Sequence, residues 1–339
     1  MKNKFELPVR GSLAIIALTA IIGFSFAACS NGTTDSGGAP DPNTVYVAGY
    51  YDNGTTNIAC YWKNGTRTNL STVESYANAI AVVGSDVYVA GSYHNGTTDI
   101  ACYWKNGLKT DLSNIASDAN AIAVVGSDVY VAGWYYINPK STACYWKTTA
   151  ASIIDLSADY STANAITISG SDVYVAGIWW NSSIATACYW KTTAASKINL
   201  STDSEAYAIA VSGSDVYVAG CYDGSTINKA CYWKTTAASK TDLSAVQSIA
   251  TAIAVSGSDV YVAGWYSSDI ACYWKGTAKT DLSTTISDAN AIAVKGSDVY
   301  VAGTYDSGST RIACYWKNET RTNLSTVNSY ANDIVVITE

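Results

Sequence analysis

Nine cysteines and a single histidine, His94, are the residues of this chain that could act as nucleophiles, bases or soft metal ligands. Seven of the cysteines lie in identical Ala-Cys-Tyr-Trp-Lys pentapeptides: Cys60, Cys102, Cys144, Cys188, Cys231, Cys272 and Cys314. Because each repeat supplies one copy, we interpret these thiols as small buried side chains that build the repeat. In a ring, neighbouring copies would lie beyond the ~7 Å Cα limit for a disulfide, so we expect none between them. Cys221 lies outside the pentapeptides and has no obvious partner.

Catalysis has little support in the sequence. One histidine cannot form a His-rich metal site, and neither a Gly-x-Ser-x-Gly motif nor a P-loop is present. One aspartate in each Gly-Ser-Asp turn supplies too few ligands for calcium. We therefore predict no catalytic residue, metal site or cofactor. The alternative is a glycan-active hydrolase or lyase that uses two carboxylates, drawn from Asp52, Asp99, Asp223, Asp269, Asp306, Glu74 and Glu205.

Aromatic residues beside Asn and Asp in the variable part of each repeat are the candidates for ligand binding. A flat apolar ring with oriented polar neighbours can hold a sugar or a peptide. The alternative is that the first aromatic residue after each Ala-Gly ends a strand and packs against a neighbouring repeat. The candidate residues are Tyr50, Tyr51, Tyr93, His94, Trp134, Tyr135, Tyr136, Trp179, Trp180, Trp265 and Tyr266.

The repeat that must position these residues reads as four short strands in 41 to 44 residues. In the stretch 119–158, strand a is Asn120–Val124, and a Gly-Ser-Asp turn leads to strand b, Val129–Gly133. A variable segment precedes strand c, Ala143–Lys147, and strand d is Ile154–Ser157. Four antiparallel strands at this period are typical of one β-propeller blade.

The order of the strands along the chain predicts how the ring closes. Strand b occurs seven times and begins at Val45, but only six copies of strand a precede a strand b. The seventh copy, Asp333–Ile337, lies at the C-terminus, and we expect it to pair with Val45–Tyr50 in the first blade. The sequence therefore predicts an all-β, seven-bladed propeller over residues 44–339. A β-helix is the alternative, but an open solenoid has no use for this offset.

Alternation along the strands assigns the side to which each side chain points, and the up-and-down order of the strands in a blade assigns the loops to the two ends of the ring. In strand c, Cys and Trp point one way, and we expect the seven tryptophans to fill the wedges between blades. The a–b turns and c–d loops lie at one end and repeat closely. The b–c segments and d–a crossings lie at the other end, which we call the variable face. Binding is expected there.

Half of each repeat resembles a known family. The run Ala121-Ile122-Ala123-Val124, the Gly126-Ser127-Asp128 turn and the run Val129-Tyr130-Val131-Ala132-Gly133 are similar to the NHL repeat and the related bacterial SBBP repeat. The Cys-Tyr-Trp-Lys half departs from both. The resemblance implies a propeller and leaves its function open, since such propellers host binding, scaffolding and catalysis.

The N-terminus reads as an export signal. A basic leader with Lys2, Lys4 and Arg10 precedes an apolar run over 11–28. Phe26-Ala27-Ala28-Cys29 resembles the lipobox of bacterial lipoproteins, which implies that residues 1–29 are a signal peptide and that Cys29 carries lipid. An uncleaved anchor helix and a secreted protein without lipid are the alternatives. Residues 30–43 are polar and rich in Gly, Ser and Pro, and we interpret them as a flexible tether.

Charge narrows the expected partners. The whole chain has a net charge of −7. Residues 1–29 hold three basic groups and one acidic group, so the remainder keeps 17 basic and 26 acidic groups, a net charge of −9. This excludes nucleic acid as the expected partner. We predict a monomeric, lipid-anchored propeller of the bacterial cell envelope, at the outer membrane or cell surface rather than the inner membrane. It would bind an envelope protein or a glycan without catalysis, or serve as a scaffold for envelope assembly.

Overall fold

A computed structural model describes residues 43–148, 152–235 and 239–338. The predicted signal peptide, the predicted lipidation site at Cys29 and most of the predicted tether therefore lie outside the described residues. Within them the chain forms 28 β-strands in seven sheets of four antiparallel strands. No helix in these ranges is both long and apolar enough to cross a membrane.

Each sheet is one blade, and the first blade takes its fourth strand from the end of the chain. Blades 1 to 3 contain β1 (Asn43–Asp52), β2 (Asn57–Lys63), β3 (Thr66–Asn69), β4 (Ser75–Val83), β5 (Asp86–His94), β6 (Asp99–Lys105), β7 (Leu108–Asp111), β8 (Ser117–Val125), β9 (Asp128–Ile137), β10 (Lys140–Lys147) and β11 (Ser152–Asp155). Blades 4 and 5 contain β12 (Ser161–Ser169), β13 (Asp172–Asn181), β14 (Ile184–Lys191), β15 (Thr193–Thr202), β16 (Ser204–Ser212), β17 (Asp215–Asp223), β18 (Asn228–Lys234) and β19 (Ser239–Asp242). Blades 6 and 7 contain β20 (Ser248–Ser256), β21 (Asp259–Tyr266), β22 (Ile270–Lys275), β23 (Ala278–Asp281), β24 (Ser287–Lys295), β25 (Asp298–Asp306), β26 (Arg311–Lys317) and β27 (Thr320–Asn323), and the chain ends with β28 (Ser329–Thr338).

The predicted closure is confirmed. β28 pairs with β1 so that Val45 lies opposite Val336 and Val47 opposite Ile334. Strand a of each blade packs against strand a of the next in a cycle that runs from β4 around to β28 and back to β4. Strand a therefore lies nearest the centre of a closed ring, and strand d forms its rim.

The tryptophans of the pentapeptide fill the wedges between blades, as predicted. Each is at most 4% exposed. Trp146 and Cys144 of blade 3, for example, lie in one apolar cluster with Ala90 and Ala101 of blade 2. Trp146 is also one of five whose indole N–H has no acceptor, with Trp62, Trp104, Trp190 and Trp274. These side chains therefore contribute volume and apolar area, at the expense of an unmade hydrogen bond.

Strand a of every blade contains a β-bulge, which the sequence pattern did not reveal, and in six blades the bulged residue bonds to the next blade. Between strands a and b the register shifts by one residue, and in blade 3 the unpaired residue is Asn120. Its side-chain amide donates to the carbonyl oxygen of Ala163 in blade 4 at 2.9 Å. Four more asparagines repeat this bond, and one of them, Asn332 of β28, makes it to Ala77. Thr251 donates to Ala289 in the same way, whereas Tyr207 donates to Glu205 of its own strand.

The glycine of Val-Ala-Gly in strand b is required by this bulge. A β-carbon on Gly133 would lie 2.0 Å from the carbonyl oxygen of Asp118. The other six blades place a backbone carbonyl equally close to their glycine. Since that oxygen belongs to a paired strand, it cannot move aside, and only glycine fits.

Candidate binding face

The variable face is built from the b–c and d–a connections, as the order of the strands in a blade predicted. In every blade the residue near the end of strand b donates its backbone N–H to the preceding d–a crossing, as His94 does to Glu74 at 2.8 Å and Trp180 to Tyr160 at 2.9 Å. The b–c hairpins and d–a crossings therefore lie at the same end of the ring. The opposite end carries six ion pairs between the turn aspartate and the pentapeptide lysine, such as Asp128–Lys147 at 2.7 Å.

The candidate aromatic residues do not lie in loops, which corrects the sequence interpretation. Strand b continues through them: β9 reaches Ile137 rather than Gly133, and β1 reaches Asp52. The residues of strand c that pair with this extension do not alternate clearly between polar and apolar. The sequence pattern therefore ended strand b too early. Because they lie in a strand, successive aromatic side chains point to opposite sides of the blade.

The first position after Ala-Gly faces the next blade. Tyr50 is buried there, 7% exposed, stacked on Tyr330 and edge-on to Tyr76 of blade 2, with both ring centroids 4.9 Å away. It is a packing residue and offers no surface to a ligand. Trp134 and Trp265 occupy the same position in blades 3 and 6 and are half-buried.

The second position after Ala-Gly carries an aromatic ring that is covered by a cation from strand d. In blade 2 the ammonium nitrogen of Lys109 lies 3.1 Å from the centre of the Tyr93 ring. Six blades share this arrangement, and the pairs are Tyr51–Arg67, Tyr93–Lys109, Trp179–Lys197, Tyr222–Lys240, Tyr266–Lys279 and Tyr305–Arg321. Sequence reasoning missed these pairs, although aligning the repeats would have revealed a column of basic residues in strand d.

The residue two positions after the cation completes this group. When this residue is aspartate, the cation is lysine, and the two form an ion pair, as in Lys109–Asp111 at 2.9 Å and Lys279–Asp281 at 2.6 Å. When the cation is arginine, this residue is asparagine, and Asn69 donates to the Tyr51 hydroxyl at 3.1 Å. Burial would lower the pKa of Lys109, but hydrogen bonds to Tyr93 and Asp111 outweigh it and raise the pKa. The lysine therefore stays charged over the ring.

The third position after Ala-Gly differs most between blades. It is polar in five blades, where the residues are Asp52, His94, Asp223, Ser267 and Asp306. His94 contacts Asp99 across the hairpin, with Nδ1 and Oδ1 3.0 Å apart. In blades 3 and 4 the position holds Tyr136, 42% exposed, and Trp180, whose ring lies edge-on to Tyr160 at 4.8 Å.

Exposed apolar side chains concentrate around these two blades. We define the apolar patch as Ile115, Tyr136, Ile137, Ile153, Tyr160, Trp180 and Ile184. All except Trp180 are more than a third exposed. The other crossings carry only isolated exposed residues, such as Val246 and Val327.

Two grooves open between a d–a crossing and the outer strands of the following blade. The blade 1 groove has a volume of about 990 Å³, and Tyr51, Asp52 and Arg67 line it on one side. The blade 3 groove has a volume of about 560 Å³. Its lining residues are Asp111, Leu112, Ser113, Asn114, Ile115, Tyr135, Ile137, Ile153 and Asp155.

Three of the seven candidate catalytic carboxylates accept local hydrogen bonds. Asp52 accepts the N–H of Gly54 at 2.8 Å, Asp223 accepts that of Ser225 at 2.8 Å, and Glu74 accepts the Tyr76 hydroxyl at 2.8 Å. Across the described ranges, no group of three or more His, Cys, Asp or Glu side chains could hold a metal ion.

Comparison with known structures supports the architecture. TolB from Acinetobacter baumannii is similar over 85% of this chain and 82% of its own, with a TM-score of 0.51 and 9% identity. The β-propeller domain of the trilobed protease from Pyrococcus furiosus, described as having an open velcro topology, is similar over 86% of this chain and 96% of its own. Its TM-score is 0.51 and its identity 12%. At these identities the likeness shows the propeller fold and nothing finer.

No family model and no curated protein matches the sequence. The resemblance to NHL and SBBP repeats and to lipoprotein signals therefore stays a prediction.

Proposed function

We propose that this propeller is a non-catalytic binding module of the bacterial envelope, which holds a protein partner against the variable face at blades 3 and 4. The apolar patch is the observation that supports this function. Water-exposed apolar residues are normally scattered, whereas a cluster on one side of a ring is typical of a protein contact surface.

The composition of the patch favours a protein over a glycan. Four of its seven residues are isoleucines, which offer no flat ring to a sugar and no hydrogen bond. Buried against a partner, each would contribute about 25 cal/mol for every Å² removed from water. Tyr136 and Trp180 add rings of the kind that act as anchors at protein interfaces.

The other blades supply variants that should test the patch without unfolding the ring. Asp52, Asp223 and Asp306 occupy the position of Tyr136 and Trp180, so Tyr136→Asp and Trp180→Asp place a residue that the repeat already accepts. We expect each immobilised variant to capture at least about tenfold less of the envelope proteins that the unchanged chain captures.

Val246→Asp is the matched control, since Val246 is 48% exposed on a crossing between blades 5 and 6. It should capture the same partners as the unchanged chain, measured by quantitative mass spectrometry. If all three variants capture equally less partner, the added charge and not the patch is responsible. If none of them captures less, the patch is not the contact surface. Binding to a glycan array that Tyr136→Asp abolishes would instead support a glycan ligand.

Lipid attachment at Cys29 would hold the propeller at the outer membrane or cell surface, through the tether of residues 30–43. The support is the Phe26-Ala27-Ala28-Cys29 sequence behind an apolar run. Radiolabelled fatty acid should enter the unchanged protein and not Cys29→Ala. Equal labelling of the two would exclude lipidation at this residue, and a labelled protein in the inner-membrane fraction would contradict the location.

A further inference from the structure

Blade 3 breaks the pattern of an aromatic ring covered by a strand d cation, which the other six blades follow. Strand pairing places Lys109 of blade 2 opposite Trp104, and the corresponding residue opposite Trp146 in blade 3 is Ile153. In the described part of blade 3, no lysine or arginine lies over the Tyr135 ring. Lys147 pairs with Asp128 at 2.7 Å, and Lys140 contacts the carbonyl of Ala158.

The rest of the group is retained. The Tyr135 hydroxyl donates to Asp155 at 2.9 Å, as Tyr93 does to Asp111 and Tyr266 to Asp281, both at 3.1 Å. Burial and this hydrogen bond raise the pKa of Tyr135 to about 12, so its proton stays on the phenol. Blade 3 thus keeps the ring and the carboxylate that hold a lysine elsewhere, in an open groove of about 560 Å³.

We propose that the blade 3 groove binds the side chain of a lysine in a protein partner, with its ammonium group between the Tyr135 ring and Asp155. The proposal rests on the proposed function, since the groove adjoins the apolar patch, and it names one residue type that the partner must present. The partner's lysine takes the place that Lys109, Lys240 and Lys279 fill from within the chain.

Lysine is favoured over arginine by the companion residue. The three cations with aspartate two positions later are all lysines, whereas asparagine follows two arginines, Arg67 and Arg321, and one lysine, Lys197. Blade 3 has Asp155. The carboxylate offers the ammonium group a charged acceptor, and the aromatic ring adds a cation–π contact.

The apolar wall of the groove defines what should flank the lysine. Ile115, Ile137 and Ile153 are 38%, 59% and 48% exposed and line the same groove as Tyr135. They can cover the methylene groups of the incoming side chain and contact aliphatic neighbours. A short segment with aliphatic residues on both sides of one lysine therefore fits the groove.

The test measures binding of a fluorescein-labelled peptide, Gly-Ile-Lys-Ile-Gly, to the full chain in detergent by fluorescence anisotropy. A matched peptide carries norleucine in place of lysine. We expect the lysine peptide to bind at least about tenfold more tightly than its neutral counterpart, because a charged hydrogen bond and a cation–π contact are lost together.

Ile153→Lys supplies the missing cation from within the chain and should abolish this preference while the ring stays folded, as the other blades do with lysine there. Asp155→Asn should weaken binding of the lysine peptide by about tenfold. Leu108→Lys is the charge-matched control on a 78% exposed aliphatic residue outside the groove, and it should bind within about twofold of the unchanged chain.

Equal binding of the two peptides, or undiminished binding by Ile153→Lys, would overturn the proposal. The same variant separates this inference from the proposed function. If Tyr136→Asp releases the captured envelope partner and Ile153→Lys keeps it, the patch binds protein but the groove holds no lysine. If Tyr136→Asp also keeps the partner, the proposed function itself fails.

Discussion

Asp333 places a carboxyl group where the other six blades have alanine. Those alanines are Ala79, Ala121, Ala165, Ala208, Ala252 and Ala291. It is fully buried, and one oxygen accepts the N–H of Ile80 in blade 2 at 2.7 Å while the other accepts that of Ile334 at 2.7 Å. Burial raises the pKa of Asp333 well above the ordinary value of 3.8, and these two hydrogen bonds counter it only in part.

A raised pKa in the folded state makes the contribution of Asp333 to stability fall as pH rises. Above pH 3.8 the unfolded chain releases the Asp333 proton, while the folded chain still holds it. The Asp333 contribution to the free energy of unfolding should then decrease by on the order of 1 kcal/mol for each pH unit until the folded group ionises. Asp333→Ala should lack this dependence, so chemical denaturation of both proteins from pH 4 to 8 should show a widening difference. A constant difference would contradict the buried, protonated form.

The eight cysteines in the described ranges are free and buried. Burial raises the pKa of their thiols, that of Cys221 to about 12. Because the thiolate is the reactive form, a disulfide-type thiol reagent at pH 8 should label none of the eight in the folded protein. All eight should react once the protein is denatured, without prior reduction. Labelling of the native protein at Cys60 or its equivalents would show that the wedges open.

At the scale of the strand, the bulge asparagines are the specific links between blades. The carbonyl of Ala163 is buried against strand a of blade 3 and accepts a hydrogen bond from Asn120. Removing a donor from a buried acceptor costs about 1–3 kcal/mol. Asn120→Ala should lower the free energy of unfolding by that amount. Asn114→Ala, on an exposed crossing, should change it by less than about 0.5 kcal/mol. Similar effects of the two would show that apolar packing alone holds the blades together.

The strands also show what the sequence could and could not predict. The period, the closure by β28 and the burial of Trp146 follow from counting and alternation, because one residue type per repeat must serve the same place in each blade. The bulge at Asn120 escaped prediction, since an extra residue in one strand shifts its register without changing its composition. The ring–cation pairs escaped because Tyr93 of strand b and Lys109 of strand d meet across strand c, 16 residues apart in the chain. The candidate aromatic residues separate by strand side, so Tyr50 is buried while Tyr136 is exposed.

At the scale of the whole molecule, the two ends of the ring divide their roles. The end with the a–b turns repeats one ion pair of Asp and Lys in six blades. The variable face is polar over most of the ring and apolar at blades 3 and 4. Seven nearly identical wedges thus keep the ring fixed, while the third residue after Ala-Gly in strand b differs from blade to blade.

Closure by β28 predicts how the chain tolerates new ends. Thr44 lies opposite Ile337, and in blade 2 the equivalent pair, Asp86 and Val83, is joined by Gly84-Ser85. A circular permutant that starts at Ser75, joins Ile337 to Thr44 through Gly-Ser and ends at Glu74 would form every blade from contiguous chain. We expect its melting temperature to stay within about 5 °C of the parent, because no contact between blades is lost.

Truncation before Ser329 provides the opposite test of the same closure. It removes the strand that pairs with β1 and the bond from Asn332 to Ala77, and it leaves β1 and β4 with exposed faces. An open ring of this kind should lose its cooperative thermal transition and aggregate. If the truncated chain melts like the parent, pairing of β28 with β1 is dispensable, and stability comes from the six complete blades alone.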